Sequence, residues 1–298
     1  MDKKSLLSKF ALGTASFGNM YGILNRDKLS STLEISKIIE TFSNYGGYLF
    51  DTSSGYGKSE EIIGNLLKDF NNKDLRVNSK FILNQDNGIE NIKRQVDNSY
   101  KIFGNNLNSI LCHTPDIFLL EKRDLVYSAL KYIKDNLRIN VGISIYSIQE
   151  VTCLDLQFKE LISDIQAPLN IFDLTALKLK QKNLINSNSK VHARSIFLQG
   201  LLISEEIIYK RFSNQFILFN ELCESYKLTK KEVCIRFALQ NYLIDSVVVG
   251  INSLDHLNDL ISIAKRIQVK DNKEISNLEN KNNDKYFIDP RNWNLINN

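Results

Sequence analysis

Asp51, Tyr56, Lys80 and His113 are the residues of this chain whose types and placement could move a proton. A free phenol has a pKa of about 10, so at neutral pH a tyrosine is a poorly matched acid unless its surroundings help. An ammonium about 4 Å away would favour the phenolate by roughly 4 kcal/mol at an effective dielectric near 20, before desolvation is subtracted. Lys80 could supply that charge, and Asp51 would hold Lys80 in place. His113 could donate a hydrogen bond to a substrate oxygen beside the phenol. Tyr56 would then protonate an alkoxide as it forms. A carbonyl becomes an alkoxide by hydride addition, and no side chain carries a hydride, so the set implies a nicotinamide cofactor.

These residues need elements that bring them together. Residues 48–50 form a short aromatic and apolar run, the pattern of a buried strand, and Asp51 ends it. The turn from Asp51 to Gly57 is rich in Gly and Ser, and Gly55 and Gly57 flank Tyr56. Ser59 reads as an N-cap, with Glu60 and Glu61 in the first turn of the next helix. Similar short strands are expected at 10–14, 77–83, 109–113, 139–144, 164–166, 191–195 and 246–250. Lys80 lies within the third, and His113, Ser144, Gln166 and Ser195 end later ones.

Helical patterns fill the intervals. One starts at Ser30 or Ser31 and carries Ile35, Ile38, Ile39 and Phe42 on one face, ending near Gly46-Gly47. Others are expected after Ser59, at 89–103, 119–136, 148–154, 176–184, 213–226 and 229–240. Leu254, Leu257, Leu260, Ile261 and Ala264 give a final stripe. Alternation of this kind predicts a parallel sheet, and eight units predict an α/β fold of the closed (β/α)8 TIM-barrel type. Active sites of such barrels form at the C-terminal rim, so residues distant in sequence can converge there. A doubly wound open sheet would need a GxGxxG turn after an early strand, and the chain has none. With no linker or repeat, residues 1–298 read as a single domain. The Asn/Lys-rich stretch 272–284 precedes a tail, 289–293, expected to pack on the outside.

Composition narrows the partners. A net charge of +4 over 298 residues, with no basic stripe, speaks against nucleic acid. No apolar run is long enough to span a bilayer, and only a few apolar residues follow Met1-Asp2-Lys3-Lys4 before Lys9, too few for a secretory core. Cys112, Cys153, Cys223 and Cys234 include no CxxC and read as reduced core thiols of a cytoplasmic protein. Three histidines are too few for a metal-dependent hydrolase barrel. Cys112 and His113 are adjacent on a strand and so point to opposite faces, which argues against a thiol nucleophile.

The chain resembles the aldo-keto reductase family over nearly its whole length. The resemblance rests on Asp51-Thr52-Ser53-Ser54-Gly55-Tyr56-Gly57-Lys58-Ser59-Glu60, with a Lys and a His on suitable later strands. It implies a catalytic Asp51, Tyr56, Lys80 and His113, and reduction of a small-molecule aldehyde or ketone, sugar-derived carbonyls included. It also implies a site for NADP(H) or NAD(H). Leu12-Gly13-Thr14 is similar to the family's opening Leu-Gly-Thr, and Gly142-Ile143-Ser144 to its strand-5 Gly-Val-Ser. Ser144 and Gln166 would meet the nicotinamide amide. The segment with Ser195, Leu198 and Gly200 resembles the pyrophosphate site, and that with Gly250, Asn252 and His256 the adenosine site. Ile145 stands where many members have Asn, and Arg194 where many stack a Tyr on the nicotinamide. The strand-8 loop lacks the usual Lys or Arg for a 2′-phosphate, and His256 replaces an Arg or Gln, so NADP and NAD both stay open. The N-terminal hairpin looks reduced. A second class of function, a nicotinamide-binding redox sensor with little turnover, fits the same resemblance. The oligomeric state is not legible.

Overall fold

The computed structural model describes residues 6–18, 31–70, 72–83, 88–113, 122–204, 210–269, 274–281, 284 and 286–295. In chain order the first half runs β1 (Phe10–Gly13), α1 (Thr32–Asn44), β2 (Leu49–Asp51), α2 (Ser59–Phe70), β3 (Arg76–Phe81), α3 (Ile89–Phe103), β4 (Leu107–Cys112) and α4 (Arg123–Tyr132). The second half runs β5 (Asn140–Ser144), α5 (Leu156–Leu161), β6 (Asp164–Pro168), α6 (Thr175–Gln181), β7 (Lys190–Arg194), α7 (Ser213–Tyr226), α8 (Lys230–Leu239), β8 (Ser246–Gly250) and α9 (Leu254–Val269). The eight strands close in sequence order, all parallel. β8 returns to β1 with Phe10 opposite Val247 and Gly13 opposite Gly250. This is the (β/α)8 barrel that the alternation predicts.

The strands are short and buried along almost their whole length because helices cover them outside and side chains fill them inside. Ile35, Ile38, Ile39 and Phe42 of α1 are all fully buried, so the 3.6-residue stripe faces the sheet. Ser31 caps α1, accepting from the Glu34 N–H at 3.2 Å. Thr229 and Glu232 form a capping box on α8. Toward the N-terminal end of the barrel, His192 is buried between Ser246 (Nδ1 to Oγ 2.7 Å) and Asp164 (Nε2 to Oδ1 2.7 Å). That polar bridge crosses three strands at the end opposite the site described below.

Several local expectations change. Asp51 belongs to β2 itself, and Tyr48 lies outside it, 42% exposed. Ser59 is no cap. It is fully buried, and its hydroxyl lies 3.0 Å from the Thr14 carbonyl, 2.9 Å from Thr14 Oγ1 and 3.1 Å from Thr52 Oγ1. Its task is to tie the end of β1 to the turn after β2. Glu60 is buried as well, accepting from Ser79 and Ser99 rather than facing solvent. α4 ends earlier than expected, in a π turn at Ile133–Leu137. α5, capped by Asp155, was hidden by its short length and by an exposed Leu156. Cys153 is exposed, so only Cys112, Cys223 and Cys234 are core thiols. The tail is closely packed: Trp293 is buried, and its indole N–H donates to the Tyr286 carbonyl at 3.0 Å.

Gly22, Ser30, residues 119–121 and parts of 272–284 lie outside the described residues. Among the described residues, no helix is long and apolar enough to cross a membrane, and no His, Cys, Asp and Glu cluster could hold a metal.

Candidate active site

Asp51 is delivered to the barrel mouth by β2 and Lys80 by β3, and both are buried. Lys80 Nζ donates to Asp51 Oδ2 at 2.7 Å and to the Thr52 carbonyl at 2.9 Å. A lysine with no water around it needs such a partner, since an unpaired buried ammonium costs several kcal/mol. Gln166, on β6, donates from Nε2 to Asp51 Oδ1 at 2.6 Å. The carboxylate is therefore held on both oxygens.

The turn after β2 presents the phenol. Tyr56 N–H donates to the Ser53 carbonyl at 3.0 Å, and Gly57 takes φ of 56°, which favours glycine. At Gly55 a Cβ would come within 2.5 Å of the end of the Ile82 side chain, which would have to turn aside. The Tyr56 ring lies edge-on to His113, with centroids 5.5 Å apart at 82°. Lys80 Nζ is 5.4 Å from the Tyr56 centroid. His113, just past β4, has its Nδ1 3.0 Å from Ser53 Oγ. All four expected proton-transfer residues thus meet at the C-terminal rim.

The electrostatics differ from expectation in one respect. The Tyr56 phenol is pushed above its ordinary range, first by burial and then by the Asp51 carboxylate; Arg194 opposes both. Lys80 is spent on Asp51, and the neutralised pair does not hold the phenol down. His113 is pushed down to about 3, first by burial and then by Lys80 and Arg194, so it is neutral at physiological pH. The resting site therefore offers a protonated phenol beside a neutral imidazole.

A cleft of about 400 Å³ runs from this point outward. Near the phenol it is lined by Thr14, Asp51, Ser144, Gln166 and Arg194, farther along by Ser195 and Gly200, and at its far end by Gly250, Asn252 and His256. Lys80 lies beneath it. Leu198 is the exception among the expected lining residues: it is fully buried and does not face the cleft.

Two features suit this wall to a phosphate-bearing dinucleotide. Ser195 has φ of 59° and Gly200 has φ of 95°, and between them the N–H groups of Ile196 and Phe197 donate to no described residue. Backbone amides in such a bend can cradle an anion. A Cβ on Gly250 would meet nothing within 4 Å, so the bare backbone leaves that space for a ligand. The Ser144 hydroxyl, at the reaction end, also makes no described hydrogen bond. Gln166 is already engaged by Asp51.

The sequence reading missed several residues here. Ser53 carries no recognisable signal until His113 is placed beside it. Tyr146 and Pro290 join the mouth through the loop after β5 and the tail. Lys231 and Asp259 face the far end of the cleft from α8 and α9, paired at 2.5 Å. Their positions inside amphipathic helices hid them.

The sequence matches the profile of the aldo/keto reductase family over residues 9–283. Two solved structures of a candidate aldo-keto reductase from Pseudomonas aeruginosa share the fold. The first has a TM-score of 0.64 at 17% identity, and the second 0.63 at 18%. Each comparison covers 87% of this chain and 90% of the other. No curated protein sequence gives a significant match. A profile matched across almost the entire barrel, with the phenol, carboxylate, ammonium and imidazole gathered at its rim, has one consequence: the chain belongs to the aldo/keto reductase family.

Proposed function

We propose that this protein reduces an aldehyde or ketone to an alcohol, with NADPH or NADH as hydride donor and Tyr56 as the general acid. The observation that carries the reading is the placement of Tyr56: a phenol kept protonated by burial, edge-on to a neutral His113, above the Asp51–Lys80 pair. The bound cofactor would supply the hydride. Ser144 would hold its amide end, and Ser195 with the Ile196 and Phe197 N–H groups its phosphates. Gly250, Asn252 and His256 would flank the remainder.

The side chains divide the proton work. His113 orients the carbonyl oxygen toward the phenol. Tyr56 donates its proton as charge develops on that oxygen, a contribution on the order of 10²–10⁴-fold. As the phenolate forms, the Arg194 guanidinium, which already opposes the upward shift of the phenol, would stabilise it. Asp51 keeps Lys80 in register, and Gln166 keeps Asp51 in register. The free thiols support a reducing compartment, which we take to be the cytoplasm.

The test is fluorescence titration with NADPH and NADH, followed by a panel of aldehydes and ketones, sugar-derived ones included. Tyr56→Phe should bind cofactor as the wild type does and lose turnover by at least about a hundredfold. Normal turnover by that variant would sink the proposal. Tight cofactor binding with no turnover of any carbonyl would favour a redox-sensing role instead.

A further inference from the structure

Among the described residues, the charges that line the cleft or face its mouth are paired, with Arg194 the exception. Asp51 is paired with Lys80 at 2.7 Å and Lys231 with Asp259 at 2.5 Å. Arg291, whose guanidinium is 3.8 Å from the Tyr146 ring centroid, is paired with Asp289 at 2.7 Å. Arg194 closes β7 and lines the cleft with Tyr56 and His113. It donates to the Ile145 carbonyl at 2.8 Å and to Ser195 Oγ at 3.0 Å, and lies 4.2 Å from the Tyr146 centroid. All three partners are neutral. Among the described residues Arg194 makes no ion pair. Glu150, Asp173 and Asp289 are near enough to feel it, but burial pushes Glu150 up to about 7 and Asp173 up to about 6, Asp173 accepts the Thr175 N–H, and Asp289 is engaged by Arg291.

A half-buried guanidinium without a counter-ion is costly to maintain. Here neutral contacts fix its orientation and leave N–H donors for something else. A fixed guanidinium fork matches a carboxylate or phosphate two-pronged. Its field reaches both Tyr56 and His113, so an anion held on it would sit beside the reacting oxygen.

We propose that Arg194 binds an anionic group carried by the carbonyl substrate itself, so that the preferred substrates are carboxylated or phosphorylated aldehydes or ketones. The carbonyl half of this inference rests on the reductase function proposed above; the anion site does not.

Calorimetric titration with oxalate and with inorganic phosphate tests it, using wild type and Arg194→Gln, alone and saturated with NADPH or NADH. In parallel, turnover is measured on matched pairs: a 2-oxo acid and its methyl ester, and a phosphorylated aldehyde and its unphosphorylated parent. One of the two anions should bind the wild type in the presence of nicotinamide, which also tells carboxylate from phosphate. Arg194→Gln should weaken that binding at least about tenfold. The charged member of the matching pair should be preferred by about tenfold to a hundredfold in kcat/KM, and the variant should lose that preference.

The proposal is overturned if the wild type binds neither anion, if Arg194→Gln binds them unchanged, or if charged and neutral substrates are reduced equally well. It is also overturned if nicotinamide expels the anion and the variant binds nicotinamide less well, because the guanidinium then serves the cofactor. If no nicotinamide binds at all, the reductase function falls, while the titrations on cofactor-free protein still decide the anion site. Arg194→Lys, which keeps the charge and loses the fork, should fall between the two, and covers the case in which the Gln variant fails to fold.

Discussion

Gln166 reaches across the barrel mouth to Asp51, donating from Nε2 to Oδ1 at 2.6 Å although β6 and β2 stand on opposite sides of the barrel. The other oxygen of Asp51 takes Lys80 at 2.7 Å. One carboxylate thus braces two strands that share no ladder with each other, directly beneath the phenol. Removing Asp51 should cost far more than one hydrogen bond, because it strands a buried ammonium. Asp51→Asn should lower stability by about 3–5 kcal/mol. Lys80→Met should cost less, because Gln166 still serves the carboxylate. Urea unfolding of both variants and of the pair should give a double variant less destabilised than the sum of the singles, by more than about 1 kcal/mol. Strict additivity would mean that the ion pair does not act as a unit.

Ser53 sets the proton arrangement of His113. Its single hydroxyl proton can go to His113 Nδ1 at 3.0 Å or to the Lys80 carbonyl at 3.2 Å. Only the first choice leaves the His113 proton on Nε2, where it could be donated to a substrate oxygen. Ser53→Ala should shift the tautomer, seen in nitrogen chemical shifts, and lower kcat/KM by about tenfold with little change in cofactor affinity. An unchanged tautomer would place its control elsewhere.

The same imidazole makes a pH prediction. His113 is pushed down to about 3, mainly by burial, so it should not titrate between pH 5 and 8. The phenol, raised by burial and Asp51, should stay protonated past its ordinary value. Reduction measured as kcat/KM should therefore be flat across neutral pH, with any loss only at high pH. An inflection near 6.5 that disappears in His113→Gln would show that the imidazole does ionise.

At the far end of the cleft, Lys231 is held by Asp259 at 2.5 Å. A 2′-phosphate there would have to compete with that carboxylate for the ammonium, whereas a ribose hydroxyl could donate to the carboxylate. Wild type should bind NADH at least as tightly as NADPH. Asp259→Asn should shift the affinity ratio toward NADPH by about tenfold, measured by titration of nicotinamide fluorescence. No change in the ratio would exclude the pair as the discriminator.

The barrel was legible because its strands and helices repeat the same local physics. β8 and α7 fall at their expected bounds, and α3 likewise, since each has an uninterrupted pattern and clear ends. Asp51, Tyr56, Lys80 and His113 were legible because their residue types are unusual at strand ends or in strands. What escaped was pairwise. Gln166 presents the same amide whether it faces a ligand or Asp51, and only the closure of the barrel, which sets β6 across the mouth from β2, decides. Lys80 was expected to lower the phenol pKa, but its charge is cancelled at 2.7 Å by the residue meant to position it. Leu198 sits in a segment whose backbone alternates between left- and right-handed turns, so no periodicity reports which way it points.

Glu150 gives the molecule a pH-dependent stability that can be isolated. It is buried below the mouth, and its Oε2 accepts the Tyr146 N–H at 2.9 Å. Burial raises its carboxyl from an ordinary 4.5 to about 7, against the opposing pull of the Tyr146 N–H and Arg194. The folded protein therefore keeps this proton through the interval from about 4.5 to 7, where the unfolded chain has lost it. Stability must fall as pH rises through that window, by about 3 kcal/mol if the whole shift is expressed. Glu150→Gln keeps an acceptor for the Tyr146 N–H and cannot ionise. Its melting temperature relative to wild type should rise between pH 5 and pH 8. Asp173, also raised to about 6 by burial, contributes equally to both proteins and cancels in the difference. Parallel curves would mean that the Glu150 carboxyl does not titrate in this range. Arg194→Gln, by removing one of the groups that favour the carboxylate, should make the fall larger and carry it to higher pH.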